Sequence, residues 1–150
     1  MKHYIIDGNN LIGKIKHLKI LQGKDKQSSR QGVINILNSF FAGKKVKITL
    51  HLDGYPGTLI NLSKGKIIYS EKRTSDYMIR EEIDNSKNPK HIILVTSDNA
   101  LINYARANSS TVIKAEDFYT EVKSIYEKNE EQEKLIQLQR EKDFFYKIFE

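Results

Sequence analysis

The feature that most constrains the fold is a set of short apolar runs, each about as long as one strand and each followed by turn residues. Residues 91–96 (HIILVT) are apolar through their whole centre, which is the pattern of a strand buried on both faces. Residues 46–52 alternate apolar and polar side chains, and residues 3–6 form a shorter apolar run. Strands of this kind predict a sheet that is covered by helices.

Helical spacing appears between these strands. It predicts helices over residues 28–41, 75–83 with Ser75 as N-cap, and 98–107, and again from residue 115 onward. Residues 111–113 form a short strand, whereas 58–60 and 66–69 are either a hairpin or a third strand after an irregular loop. The alternation favours the α/β class: one domain with a central, mainly parallel sheet flanked by helices.

Composition sets the class of protein. The 150 residues are 39% hydrophobic and 29% charged, as in a single soluble globular domain. There is no cysteine, which excludes disulfides, thiolate metal sites and cysteine nucleophiles. No apolar run of about 18 residues is present, and the N-terminus lacks the features of a secretory signal. We therefore expect a cytoplasmic protein.

Charge divides the chain at about residue 126. Residues 127–150 carry seven acids and five bases, a net charge of −2. Because the whole chain has a net charge of +6, residues 1–126 carry a net charge of +8. We predict a globular domain over 1–126 and a charged C-terminal helix over 127–150, with Leu135, Leu138, Phe145, Ile148 and Phe149 along it. That helix either packs on its own domain or mediates assembly with another subunit or partner.

A short lysine-rich stretch, predicted to be a loop, accounts for much of the positive charge. Its basic residues are Lys14, Lys16, Lys19, Lys24, Lys26 and Arg30. A basic surface suits a polyanion such as RNA, although lysine-rich composition alone produces the same charge. Tyr55, on a glycine-rich turn, is a further candidate for stacking on RNA bases.

Aspartates stand where the predicted strands end. Asp7, Asp53 and Asp98 each follow a strand, and Asp76 begins a helix. The carboxyl ends of parallel strands share one edge of the sheet, where ligands bind. Carboxylates gathered there repel one another unless cations neutralise them, and oxygen-only ligands favour Mg²⁺ or Mn²⁺. The alternative is that each aspartate only forms a turn or caps a helix.

Four segments carry a resemblance to a known family. YIIDGNNLIG, TSDYMIREEI and ILVTSDNALINYAR are similar in order and spacing to the motifs of the YacP-like branch of the NYN domains, which are PIN-like nucleases. LHLDGYPG lies where these proteins have a strand ending in Phe-Asp. The resemblance covers about residues 3–120.

The resemblance implies a site and an activity. It implies that Asp7, Asp76 and Asp98 hold a catalytic Mg²⁺ or Mn²⁺ ion, with Asp53 as a further ligand. Asn10, Ser97 and Asn99 would support them. The implied activity is RNA endonuclease, in a branch that includes cleavage of mRNA on the ribosome.

One departure from the family pattern concerns the metal site. Relatives often carry a second acid directly after the aspartate of the second motif, where this chain has Tyr77. The missing charge either reduces the site to one firmly held ion or is supplied by Glu81 or Glu82.

Two functions of different classes remain. In the first, the chain is a metal-dependent endoribonuclease. In the second, it is a weakly active or inactive module that binds RNA or the ribosome. A DNA nuclease or a toxin-like PIN protein is a more distant alternative. The four histidines show no ligand spacing and are expected to be structural or exposed.

Overall fold

The computed structural model describes residues 1–148 and consists of one sheet with helices around it. The five strands are β1 Lys2–Asp7, β2 Val46–Leu52, β3 Gly65–Tyr69, β4 Ile92–Val95 and β5 Thr111–Ile113. The α-helices are α1 Gly8–Lys14, α2 Lys16–Lys24, α3 Lys26–Phe41, α4 Ser75–Asp84, α5 Asn99–Ala107 and α6 Ala115–Ile148. A 3-10 turn, Pro89–His91, precedes β4. The predicted α/β class with a parallel sheet is confirmed.

The strand order creates a switch point at the centre of the sheet. All pairings are parallel and the order is β3-β2-β1-β4-β5. The chain runs outward from β1 to β3, then crosses to β4 on the other side of β1. In open parallel sheets a ligand binds beyond the carboxyl ends of the strands at such a reversal. Here those ends are Asp7 of β1 and Val95 of β4.

Apolar side chains cover both faces of the sheet, as the continuous apolar run of β4 requires. On one face, Ile5 and Leu94 pack against the inner sides of α4 and α5, represented by Ile79, Ile83 and Leu101. Removing this much apolar surface from water is the main stabilising contribution to such a core.

An aromatic cluster covers the other face of the sheet. The rings of Phe40, Phe41 and Phe118 are in mutual contact, and Tyr4 of β1 lies 4.7 Å from Phe41 between ring centres. This cluster fixes α3 and the first turn of α6 against the strands.

Two compact units are distinguished along the chain, Met1–Tyr119 and Thr120–Glu150. The division falls earlier than the predicted boundary at residue 126. Within the second unit, the described residues continue helix α6, and its large apolar side chains, including Leu135, Leu138, Phe145 and Ile148, are exposed. Phe149 and Glu150 lie outside the described residues.

The lysine-rich stretch is the main local correction. It was expected to be a loop, but residues 14–30 belong to three helices. Asp25 explains the last of these, because its carboxylate accepts a hydrogen bond from the Ser28 backbone and caps α3.

Two further differences concern strand and cap positions. β3 pairs in parallel with β2 and forms no hairpin, while 58–60 is not a strand. Thr74, rather than Ser75, is the N-cap of α4. No helix among residues 1–148 has the length and apolar character needed to cross a membrane.

Candidate active site

Asp7 lies at the carboxyl end of the central strand and is 8% exposed. Its Oδ2 accepts a hydrogen bond of 2.9 Å from the Thr96 hydroxyl, and its side chain does not cap α1. Burial raises the pKa of Asp7 above its ordinary value, and the charges of Asp53 and Asp98 act in the same direction. Hydrogen bonds from Thr96 and the Asn10 backbone only partly oppose that rise.

Asp98 lies across the switch point from Asp7 and is linked to it through Thr96. The Thr96 hydroxyl accepts a hydrogen bond of 3.1 Å from the Asp98 backbone while donating to Asp7. Oδ1 of Asp98 caps α5 by accepting from Leu101 N at 3.0 Å. The alternative role of a helix cap is therefore real for Asp98, and its other carboxylate oxygen is left for a ligand.

Asp53 is held by the start of α4. Its Oδ1 accepts hydrogen bonds from the Ser75 backbone at 3.3 Å and from the Ser75 hydroxyl at 2.5 Å. The Asp53 backbone donates to Asn9 Oδ1 at 2.8 Å. Gly54 follows with a φ of 88°, a conformation that glycine adopts without strain. Asp53 thus connects the chain at Asn9 to the chain at Ser75, and it also places an acidic group beside Asp7.

Asp76 stands in the first turn of α4, where its charge also suits the helix dipole. Its Oδ1 accepts a hydrogen bond of 2.8 Å from Arg80 Nε, one turn further along the helix. Arg80 fixes the orientation of the Asp76 carboxylate through Oδ1, and this hydrogen bond does not use the second carboxylate oxygen.

All four predicted aspartates line one open cavity of about 590 Å³. Its wall also contains Asn9, Asn10, Arg73 and residues of the β3–α4 turn. The cavity lies beyond the carboxyl ends of β1 and β2, at the position that the switch point indicates. Carboxylates that converge on one sheet edge from separate parts of the chain repel one another unless a cation neutralises them.

The donor set fits a hydrated divalent ion better than a fully enclosed one. Among residues 1–148, no three histidine or acidic side chains are placed to complete a metal site by themselves. Mg²⁺ commonly binds to one or two carboxylates and keeps several waters. Asp7, beside two other acids in an open cavity, would leave room for such an ion to keep several of its waters.

Neighbouring polar residues position the loops around the site. Asn10 Oδ1 accepts from the Ser97 backbone at 2.9 Å, which ties the β1 and β4 ends together. The Ser97 hydroxyl donates to Glu116 and accepts from the Ala115 backbone. Asn99 is the first residue of α5, exposed, and does not line the cavity.

Sequence reasoning missed several residues of this site, of which three have a clear place in it. Thr96 bridges two of the aspartates, Asn9 holds the Asp53 loop, and Arg73 lines the cavity. The first two were adjacent to predicted residues and are short polar groups at strand ends. Arg73 had no signal, because it lies in a turn whose path the sequence does not reveal.

Basic residues predicted to bind RNA are placed in two ways. The five lysines are all exposed along α1, α2 and the start of α3: Lys14, Lys16, Lys19, Lys24 and Lys26. Lys26 Nζ lies 3.1 Å from the point that a Cβ on Gly54 would occupy, so it borders the cavity.

Arg30 has a different environment from the lysines. It is 5% exposed and donates to the backbone carbonyls of Asp53 and Tyr55. Arg30 therefore supports that loop instead of presenting its charge to solvent, and Tyr55 projects from the loop with 55% of its surface exposed.

Neither Glu81 nor Glu82 supplies an acid next to Asp76, and Glu71 is the further acidic residue of the cavity wall. Glu82 points beneath α4, where it accepts hydrogen bonds from Thr49 and contacts His51 at 2.9 Å. Glu81 pairs with Arg73 at 3.4 Å and does not line the acidic cavity. The expectation that either glutamate replaces the missing acid is wrong, because the helical turn directs both away from the site.

Comparison with known proteins gives the family. The model of the YacP-like NYN domain matches residues 4–148. The chain belongs to the YacP-like NYN family. This is a PIN-like nuclease family, and membership supports a function of the ribonuclease type.

Solved structures agree with the fold. The crystal structure of Rae1 (YacP) from Bacillus subtilis matches with a TM-score of 0.72 and 19% identity, covering 93% of this chain and 84% of that one. A tryptophan-to-leucine variant of the same protein gives a TM-score of 0.74 and 19% identity, with coverage of 91% and 84%. No curated protein sequence matches significantly.

Proposed function

We propose that this YacP-like NYN domain is a metal-dependent endoribonuclease that cleaves RNA at the acidic cavity. The observation that carries the proposal is the convergence of Asp7, Asp53, Asp76 and Asp98 on one cavity at the switch point of the sheet. A domain that only binds RNA gains nothing from clustered negative charge facing phosphates.

Asp7 and Asp98 are the proposed principal ligands of a Mg²⁺ or Mn²⁺ ion. Such an ion, when bound, lowers the pKa of an attacking water and stabilises charge on phosphate oxygens. Thr96 holds Asp7 in place by its hydrogen bond and keeps Asp98 at the start of α5. Arg80 orients Asp76, so that one oxygen of that carboxylate faces the cavity.

RNA is the proposed partner, with the phosphates held by the exposed lysines of α1 to α3. Counterion release from those phosphates contributes binding free energy that falls as salt rises. Lys26 lies beside Gly54 of the cavity wall. Because the resemblance is to the YacP-like branch, we propose mRNA on the ribosome as a natural substrate.

The test is cleavage of end-labelled RNAs by the full chain in Mg²⁺ or Mn²⁺. Asp7→Asn and Asp98→Asn keep the side-chain shape and remove the charge, so each is expected to lower the rate at least about 100-fold, as loss of a key electrostatic group does. Asp143→Asn, an exposed substitution on α6, is the matched control and should cut like wild type.

The outcomes separate the candidate functions. Cuts that disappear with EDTA and with both site variants support the nuclease. RNA binding that is unchanged in the variants, without any cutting in the presence of metal or of ribosomes, would replace it with the binding module. Tyr77 in place of an acid is the observation that favours that second candidate.

A further inference from the structure

Beside the acidic cavity, the β3–α4 turn, α4 and α5 together carry two stacks of an arginine on a tyrosine. The guanidinium carbon of Arg73 lies 4.6 Å from the centre of the Tyr77 ring. The guanidinium carbon of Arg80 lies 4.7 Å from the centre of the Tyr104 ring. We call these four residues the stacking strip.

The stacking strip is continuous with the cavity. Arg73 is part of the cavity wall, as is Asp76, the residue before Tyr77. Arg80 donates from its Nε to Asp76 at 2.8 Å. A polymer whose reacting group lies in the cavity would therefore leave it past the strip wherever it follows the wall formed by Arg73 and Asp76.

The Arg80–Tyr104 stack is backed by the core, and the Arg73–Tyr77 stack is exposed to solvent. Tyr104 packs against the apolar core under α5, and its hydroxyl donates to Asp84. Arg80 is fixed by Asp76 on one side and by the Tyr104 ring on the other. Tyr77 is 48% exposed, so much of its ring faces solvent. Groups that are already ordered lose little conformational entropy on binding.

The chemistry of the strip suits bases better than phosphates. Both arginines are paired with acids, Arg73 with Glu81 and Arg80 with Asp76, which reduces their attraction for a polyanion. Their planar groups and the tyrosine rings keep their stacking capacity. Unpaired nucleobases stack on aromatic rings and on guanidinium planes, whereas bases within a duplex are already stacked on one another.

We propose that the stacking strip is a base-binding subsite, which stacks on unpaired bases of an RNA strand whose phosphate occupies the acidic cavity. This inference rests on the proposed ribonuclease function and adds the residues that bind the bases and the direction in which the strand leaves the cavity. Tyr77, which replaces the second acid of the family pattern, is then a base-binding residue.

The experiment measures binding by fluorescence anisotropy in EDTA, so that cleavage does not interfere. The probes are an unstructured labelled RNA of about 12 nucleotides, the same strand annealed to its complement, and an abasic strand of the same length. Tyr77→Ala is expected to weaken binding of the single strand about tenfold, while Tyr77→Phe keeps the ring and binds like wild type. Tyr146→Ala and Arg106→Ala, both exposed and outside the strip, are the matched controls.

The abasic strand identifies the interaction. It keeps the phosphates and lacks the bases, so Tyr77→Ala and wild type should bind it equally weakly. Raising the salt concentration should weaken wild type and Tyr77→Ala by the same factor, because the strip contributes no phosphate contact. Circular dichroism melting of every variant confirms that it is folded.

Several results would overturn the proposal. These are a Tyr77→Ala affinity equal to that of wild type, an equal loss on the duplex or abasic probe, or no binding of the single strand by wild type. Cleavage in Mn²⁺ is measured separately. Base-dependent binding without cleavage would support base binding by the strip and refute the nuclease proposal. Cleavage together with an unchanged Tyr77→Ala affinity would support the nuclease and refute base binding by the strip.

Discussion

Arg30 offers the sharpest test of how the cavity is built, because one buried side chain supports the whole loop that carries Asp53. Its two terminal nitrogens donate to the carbonyls of Tyr55 and Asp53 at 2.9 and 2.8 Å. Its guanidinium carbon also lies 5.0 Å from the centre of the Tyr69 ring. Replacing it with methionine keeps most of the apolar stem and removes every donor.

The magnitude follows from those contacts. Each hydrogen bond to a charged group contributes about 1.5–3 kcal/mol, and the carbonyls of a surface loop recover part of that by binding water. Arg30→Met should therefore lower the free energy of unfolding by about 2–3 kcal/mol, and Arg30→Lys, which keeps one donor group, by about half as much. With a slope of about 2 kcal/mol per molar urea, the midpoint moves by roughly 1 M.

Urea unfolding followed by circular dichroism measures this change. Lys26→Met is the matched control: it lies one turn earlier on α3, is exposed, and should change stability by less than about 0.5 kcal/mol. The chain contains no tryptophan, so Tyr55→Trp places a single tryptophan on the loop, which can be excited selectively over the tyrosines. Arg30→Met in that background should shift the emission of the folded protein. A stability loss below about 0.5 kcal/mol together with unchanged emission would refute the supporting role.

Three further predictions concern the sheet edge and the buried polar groups. Gly8→Ala should lower the free energy of unfolding by about 1–3 kcal/mol, because its Cβ would lie 2.6 Å from the His51 carbonyl oxygen. Gly13→Ala on the same helix has open space around its Cβ and should instead stabilise the protein. Thermal unfolding of both variants measures the two changes. Mn²⁺ should raise the melting temperature of wild type, by about 2–4 °C per kcal/mol of binding free energy, and an equal rise in Asp7→Asn would contradict the assignment of Asp7 as a ligand. Burial lowers the pKa of His3 from 6.5, and although burial opposes it, hydrogen bonds and charge from the histidines and Thr49 lower the pKa of Glu82 from 4.5. Both groups are therefore expected to lower the free energy of unfolding as the pH falls, His3 from about pH 6.5 downward and Glu82 below about 4.5. Urea unfolding measured across that range should give a stability that depends less on pH in His3→Gln and Glu82→Gln. A pH dependence parallel to that of wild type would exclude these groups as the cause.

The central sheet and the four aspartates were predictable because their signals are local. A buried strand such as β4 is apolar along its whole length, and a parallel strand that ends in an aspartate places that residue at a known edge. These two facts were enough to bring Asp7 and Asp98 together without any knowledge of the path between them.

Long-range pairing explains what the sequence did not reveal. In the sequence Arg30 resembles the lysines before it. It is buried only because the Asp53 loop packs against α3 and α4 and covers its side chain. Glu82 likewise has the spacing of an exposed helical acid, yet α4 turns it toward His51 on β2. The stacking strip depends on α4 and α5 lying side by side, which no local pattern encodes.

The place of β1 in the sheet has a consequence for the order in which the protein acquires its parts. The first strand is the central one, and its Asp7 is hydrogen-bonded to a residue 89 positions later. Contacts so distant in sequence slow folding, because a long loop must close before they form. While the chain is being made from its N-terminus, β1 can pair with β2 early and with β4 only later. The acidic cavity is therefore incomplete on any nascent chain that ends before Asp98, and the candidate activity can begin only after the chain through Asp98 has been made.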